Sequence, residues 1–406
     1  MHQPPEQTKH FEDLGIARNF LEILKRLHFT TPTPIQEKAI PIAIAGKDVI
    51  GVAQTGTGKT LAFGIPMIQR IAIHKGKGLV VLPTRELALQ VEEVLHKIGS
   101  ALGLRSAVLI GGAPMGKQLQ DVRKDPHIIV ATPGRLLDHM EQRTVSLRIM
   151  TIVVLDEADR MLDMGFAPQI KKILAALPRE RQIMLFSATM PQDIVRLATQ
   201  HMKLPLQIEI ARSGTVAEQV DQEFFMVAKE DKLRLLDTLL SQYRGTILIF
   251  SRTKHGAKKI CRSVAGMGHQ AAEIHSNRSL NQRKEALSGF KSGKYRLLVA
   301  TDIAARGIDV TGIELVINFD IPDDPGDYVH RVGRTGRAGQ VGKAITFVAP
   351  DQRGKVRDIE RLVRKNVTLS QTPELPAHRP SAVHSPAPRH ARHYGAHSPR
   401  QHRRRR

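Results

Sequence analysis

Residues 53–60 read Ala-Gln-Thr-Gly-Thr-Gly-Lys-Thr, between an apolar run (Val49, Ile50, Val52) and a helix-compatible one (Leu61, Ala62, Phe63). Strand, Gly-rich turn and helix in that order form a phosphate-binding loop. Gly56 and Gly58 let the backbone curl so that successive N–H groups, from Gln54 through Thr57 by way of Thr55, face one point. Lys59 adds a positive charge for the β- and γ-phosphates, and the Thr60 hydroxyl suits a Mg²⁺ ion. Ala53 stands where the strict pattern begins with Gly.

A second chemical group is Asp156-Glu157-Ala158-Asp159, directly after the apolar run Ile152–Leu155. Three acids at a strand end repel one another, and a divalent ion relieves that repulsion. Asp156 is placed to hold the metal, and Glu157 to orient and deprotonate an attacking water. Ser187-Ala188-Thr189 also follows a strand, with short hydroxyls suited to relaying hydrogen bonds between the two halves. His330-Arg-Val-Gly-Arg-Thr-Gly-Arg337 spaces Arg331, Arg334 and Arg337 by three, so on a helix they would share a face and demand an anion opposite. A γ-phosphate reached from across a domain interface fits that demand; a solvated basic face or an RNA-phosphate contact is the alternative. Gln36 opens a helix after Pro32 and Pro34, and its amide carries the donor and acceptor that an adenine edge needs.

The elements that must position these groups alternate. Val- and Ile-rich runs at Gly78–Leu82, Ala107–Ile110, Ile128–Val130, Ile152–Leu155 and Ile183–Phe186 are apolar on both faces, as buried parallel strands are. Arg85–Leu102 between the first two has helical spacing. A second series follows at Phe224–Val227, Ile247–Phe250, Ala271–Ile274, Leu297–Ala300, Leu315–Phe319 and Ala344–Val348, with a helix predicted over Arg353–Lys365. The expectation is an α/β chain of two tandem, doubly wound parallel-sheet domains. The predicted boundaries are a mobile N-terminus over 1–10, a nucleotide domain over 11–207, a linker over 208–219, a second domain over 220–370 without a phosphate loop, and a disordered basic tail over 371–406.

The chain has 406 residues and a net charge of +22. From Gln371 to Arg406, eight arginines stand against one glutamate, so +15 remains on the body. That excess points to a polyanion, and with no Trp and 4% aromatics, backbone contact is favoured over base stacking. One cysteine excludes an intrachain disulfide and a Cys-rich zinc site. With no signal-like or membrane-length apolar run, a cytoplasmic, membrane-independent protein is expected.

Together these motifs resemble the DEAD-box ATP-dependent RNA helicases. The likeness is carried in order by Phe11 and Thr33–Gln36, Ala53–Thr60, Pro83–Leu87, Gly111-Gly112, Thr132–Arg135, Asp156–Asp159, Ser187–Thr189, Leu248–Thr253, Ala300–Asp309 and His330–Arg337. Ala53 is common in that family, and Met161–Phe166 is similar to its bacterial RhlE-type branch. The resemblance implies two RecA-like domains, ATP and Mg²⁺ as ligands, and RNA as partner, with ribosome or RNA-decay proteins as further partners. It implies adenine recognition by Gln36 with Phe11 and Phe29, and Asp309 near the ribose. It implies that Arg334 and Arg337 close on the γ-phosphate. Arg85, Gly112, Thr132, Arg135, Thr253 and Thr301 would touch the RNA backbone, and Asp159, Ser187, Thr189, His330 and Arg331 would couple the domains. One departure is Leu280, where the family commonly has a Gln; Arg283 three residues on is retained.

The tail supplies a first test. Deleting Gln371–Arg406 is expected to weaken RNA binding and to flatten its salt dependence, by ~0.7 in log–log slope for each phosphate of a single strand that the tail neutralises. Binding titrations across a salt series check this, and an unchanged slope would assign the tail to another partner.

Overall fold

The computed structural model describes residues 10–54, 56–210, 220–305, 310, 312–336 and 342–375. Thr55, Asp309 and Arg337, residues 1–9, most of the expected linker (211–219) and the tail from 376 onward lie outside the described residues.

Two parallel sheets organise the chain. The first contains β1 (Val49–Val52), β2 (Lys77–Val81), β3 (Ser106–Leu109), β4 (Ile128–Ala131), β5 (Met150–Leu155), β6 (Gln182–Ser187) and β7 (Leu206–Glu209), in the order 3-4-2-5-6-1-7. The second contains β8 (Val220–Met226), β9 (Ile247–Phe250), β10 (Ala271–Ile274), β11 (Leu297–Ala300), β12 (Leu315–Asn318), β13 (Gly342–Val348) and β14 (Thr368–Ser370), in the order 10-11-9-12-13-8-14. Each strand of the second sheet holds the place of the strand seven earlier in the first. The two halves are therefore the same fold twice, the doubly wound α/β architecture expected from the sequence.

Alternation along the strands explains why both faces are covered. On β5, Ile152 and Val154 join one apolar cluster, and Val153 and Leu155 join the other; β6 divides Met184 and Phe186 from Ile183 and Leu185 in the same way. On β9, Leu248 and Phe250 face one layer, Ile247 and Ile249 the opposite one. A strand apolar on both sides needs helices on both sides, and right-handed βα crossovers supply them.

The ends differ in detail from the sequence expectation. The N-terminal segment is two elements, a 3₁₀ turn at Phe11–Leu14 and a helix at Arg18–Arg26, separated by Gly15 at φ 77°. β7 pairs with β1 through Ile208 and Glu209, so the first sheet extends into the expected linker. Gln371–Leu375 continue past β14 against the second domain: the Thr372 hydroxyl donates to the Met226 carbonyl, and Leu375 packs beside that domain's core.

At Gly51 on β1 the sheet leaves no room for a side chain: a Cβ there would sit 2.5 Å from the Phe186 ring, itself packed on Phe63 with centroids 5.5 Å apart. Gly51→Ala is expected to cost about 1–3 kcal/mol of stability through overpacking. Urea unfolding of the variant beside the parent checks it, and equal midpoints would show that the ring can move aside.

Candidate functional site

In a parallel sheet all strand C-termini, and the N-termini of the helices that follow, lie along one edge. The first domain divides that edge in two. The ends of β1, β5 and β6 carry the phosphate loop, the acidic group and Ser187–Thr189, and these strands are neighbours in the order 5-6-1. The ends of β2 and β4, also neighbours, carry Arg85 and Thr132–Arg135. The two groups meet where β2 pairs with β5.

On the phosphate side, Gly56 and Gly58 adopt φ 85° and 91°, and the helix Lys59–His74 starts directly after them. Lys59 is buried; its ammonium donates to the Ala53 carbonyl at 3.0 Å and lies 3.9 Å from the Asp156 carboxylate. It thereby ties the loop to the end of β5. Gln36 is a brace as well as a candidate base reader. Its Oε1 accepts from the Thr33 N–H at 2.9 Å, capping the helix Pro34–Ile44, and its Nε2 donates to the Gly58 carbonyl at 2.9 Å. One donor and one acceptor of the amide remain, the number an adenine edge takes. Phe11 and Phe29 line a cavity of about 680 Å³ with Arg18, Glu22 and Lys25.

Asp156 and Glu157 are both 3% exposed. Burial pushes the Asp156 carboxyl up to about 6, against the opposing pull of Lys59. Glu157 sits in the left-handed region, at φ 52° and ψ 49°, where a residue with a Cβ pays about 1–2 kcal/mol. Its Oε2 takes a 2.8 Å hydrogen bond from Arg160, and its buried Oε1 has no hydrogen-bond partner among the described residues. Asp159 is clasped by the segment after β6: its Oδ2 accepts from the N–H groups of Ala188 and Thr189 and from the Thr189 hydroxyl, while the Ser187 hydroxyl accepts from the Asp159 N–H. Burial pushes the Asp159 carboxyl up, yet Arg160, His330 and Lys59 with the Thr189 hydrogen bond outweigh it and hold the carboxyl below its ordinary range. His330 belongs to the second domain, so this electrostatic link crosses between the halves.

These residues fit a Mg²⁺–nucleotide. The desolvated acids and the unsatisfied Glu157 oxygen suit a cation, and the Lys59 ammonium with the glycine turn suits phosphate. Thr60 is half-buried at the start of the loop's helix.

On the other side, four helix N-termini carry the remaining sequence candidates. Thr84 caps Arg85–Gly99 by accepting from Leu87 N–H, and Thr132 precedes Pro133–Glu141. Thr253 caps Lys254–Gly266 by accepting from Gly256 N–H, and Thr301 precedes Asp302–Ala305. They follow β2, β4, β9 and β11, which are equivalent pairs in the two sheets. Helix N-termini present unpaired N–H groups and a positive dipole end to phosphate. Arg85 lies against Gly111 and Gly112, where its guanidinium occupies the space of a side chain, and Arg135 donates to the Ala113 carbonyl at 3.1 Å.

The arginine segment corrects the sequence picture. The helix Pro325–Val332 ends before Gly333, so Arg334 lies beyond it and does not share a helical face with Arg331. Arg331 is 2% exposed and makes its bonds inside the second domain: a double one to Asp302 (2.5 and 2.8 Å), and others to Asn318 and the Asp320 carbonyl. Its guanidinium also stands 5.1 Å from the Phe250 centroid. Such an arginine positions its neighbours rather than meeting an anion. Arg334 and His330 do line the crevice that Arg160 enters from the first domain.

Sequence reasoning assigned no role to Glu86. It receives a buried 2.8 Å ion pair from Arg283, on the helix Leu280–Lys291 of the second domain, 197 positions away. Leu280, one turn earlier, packs against the first domain's core. No local pattern could announce this contact.

The fold and site define a tandem RecA-like, nucleotide-driven enzyme. A family model described as DEAD/DEAH box helicase matches residues 33–197, and one described as helicase conserved C-terminal domain matches 231–339. The chain is 43% identical over 368 residues to the DEAD-box ATP-dependent RNA helicase CshA of Geobacillus kaustophilus, covering 90% of this chain and 79% of that one. Among solved structures it resembles S. cerevisiae Dbp5 bound to RNA and ADP BeF3, with a TM-score of 0.81 at 30% identity over 90% of this chain and 96% of that chain. It resembles a DEAD box protein from Methanococcus jannaschii with a TM-score of 0.53 at 36% identity, over 89% and 99%. The chain belongs to the DEAD-box ATP-dependent RNA helicases.

Arg283→Ala would leave Glu86 facing a buried, unpaired seam. Closure is expected to weaken by about 3 kcal/mol, with RNA-stimulated ATP turnover falling at least ~100-fold while RNA-free turnover is little changed. Steady-state ATPase assays with and without RNA check it.

Proposed function

We propose that this chain is an RNA-stimulated ATPase whose two domains close over both ligands, bending one RNA strand and releasing its complement from short duplexes or ribonucleoproteins. The observation that carries the reading is the shared strand-end edge. Nucleotide residues occupy one half of it and RNA residues the adjoining half, and the second domain bridges to the first on both sides, through Arg283–Glu86 and through the Arg160–His330–Arg334 crevice. The likeness to Dbp5 bound to RNA and ADP BeF3 over both domains, with a TM-score of 0.81, supports an arrangement that takes both ligands.

The geometry and the family resemblance together support the following residue roles. Gln36 takes the adenine edge with its remaining donor and acceptor, and through Gly58 passes that contact to the loop. The backbone N–H groups of the loop and Lys59 hold the phosphates. Thr60 and Asp156 would hold Mg²⁺, which when bound supplies charge neutralisation at the phosphates. Glu157 has one oxygen fixed by Arg160, which leaves the other to orient a water and accept its proton. Arg334 reaches the γ-phosphate from the second domain, and Arg337 and Asp309 are assigned alongside it on the family resemblance. The RNA lies across the four helix N-termini, with Arg85, Gly112 and Arg135 beside it. These are phosphate and 2′-OH contacts, so binding is largely independent of sequence.

Finer placements belong to the same proposal. The domain limits read from the sequence, 11–207 and 220–370, are extended by β7 to Glu209 and by the packed segment to Leu375, with linker and tail between and beyond them. Met161–Phe166 supports the RhlE-type branch, while the relative named above carries the CshA designation. Among the described residues no helix is long and apolar enough to cross a membrane, which accords with cytoplasmic work on RNA, the ribosome or the RNA-decay machinery.

Lys59→Ala is expected to abolish ATP turnover while leaving most RNA affinity in place. ATPase and RNA-binding assays on the folded variant check it. Equal stimulation of the parent by DNA and RNA of matched length would overturn the RNA assignment.

A further inference from the structure

The helix Lys254–Gly266 begins at Thr253, one of the four helix N-termini assigned to RNA, and leads away from it. Ala257, Ile260 and Val264 bury one side of this helix in the second domain. The opposite side carries Lys254, His255, Lys258, Lys259 and Arg262, all exposed. At 100° per residue these five fall within one arc of about 140°, centred away from the buried stripe. The helix contains no acidic residue. Lys254 donates to the Asn277 side chain, while Lys258, Lys259 and Arg262 have no ion-pair partner among the described residues. Glu273 on β10, whose charge reaches Cys261 of this helix, is paired with Arg278.

Five like-signed or titratable groups on one face, without counter-charges, repel one another and lower the stability of the helix that bears them. A polyanion laid along the face would remove that repulsion and release counterions. Thirteen residues give a stripe about 20 Å long. It is continuous with the clamp at Thr253 yet outside it.

We infer that this basic face is a second RNA-binding surface, one that holds the phosphate backbone of RNA flanking the segment gripped between the domains. The inference rests on the RNA reading of the clamp. Its chemistry is sequence-independent, point-charge contact by lysines and one arginine, and its effect is to tether longer RNAs while the clamp opens.

The test uses the full chain with Lys258→Ser/Lys259→Ser/Arg262→Ser, and as a control Lys171→Ser/Lys172→Ser/Arg179→Ser, which removes the same charge from exposed positions of the first domain. Each is titrated with the shortest single strand that still stimulates ATP hydrolysis, and with one extended by enough nucleotides to span ~20 Å. The expected result is confined to the stripe variant: about a tenfold drop in affinity for the extended RNA, a salt slope smaller by ~2, and unchanged affinity and ATPase stimulation with the short RNA. Unchanged binding of the extended RNA, or an equal drop in the control, would overturn the inference and return the face to solvent or to a protein partner. If no RNA stimulated the parent, the RNA reading itself would fail, which is a separate outcome.

Discussion

A sheet of parallel strands has only one edge at which every strand ends and every following helix begins. That constraint governs this molecule. It places the phosphate loop, the acids after β5 and the hydroxyl segment after β6 side by side without any of them being close in sequence. It also puts the helix N-termini after Thr84 and Thr132 on the adjoining strands. The border between the sites is a single strand pair, β2 against β5, held by backbone hydrogen bonds in a buried sheet. β2 leads into Arg85–Gly99 and β5 leads into Asp156, so the two sites share one close-packed sheet.

Duplication of the fold makes the second domain a matching half. β9 and β11 repeat β2 and β4 and supply the helix starts after Thr253 and Thr301, while the chain between β12 and β13, which repeat β5 and β6, carries His330 and Arg334. Acid on one domain faces base on the other across the seam, His330 acting on the Asp159 carboxylate. Arg160 sits at the centre of that pairing. It is 1% exposed and bonded to Glu157, it holds Asp159 in its charged form, and it shares a crevice with the second domain's arginine.

What the sequence disclosed were the features whose chemistry is local. The phosphate loop is eight consecutive residues, the strands are short Val/Ile runs apolar on both faces, and most strand boundaries lay within two residues of those observed. The misjudged features depend on tertiary partners. The three-residue spacing of Arg331 and Arg334 suggested a common helical face, but the helix stops at Gly333, and Asp302 and Asn318 capture Arg331 from other elements. Gln36 looked like a surface residue or a base reader, and only the fold shows its amide fastened to Gly58. Glu86 and Arg283 are ordinary charged residues until two domains bring them within 2.8 Å.

Leu280 gives the seam a temperature character. Where a glutamine would present a polar amide, this chain covers apolar surface of the first domain, half-burying a leucine side chain. Covering apolar surface is driven mainly by solvent entropy near room temperature and carries a negative heat-capacity change. The domains of this chain therefore lose part of their mutual attraction as water is cooled and regain it on warming, in contrast to a seam built from polar contacts alone.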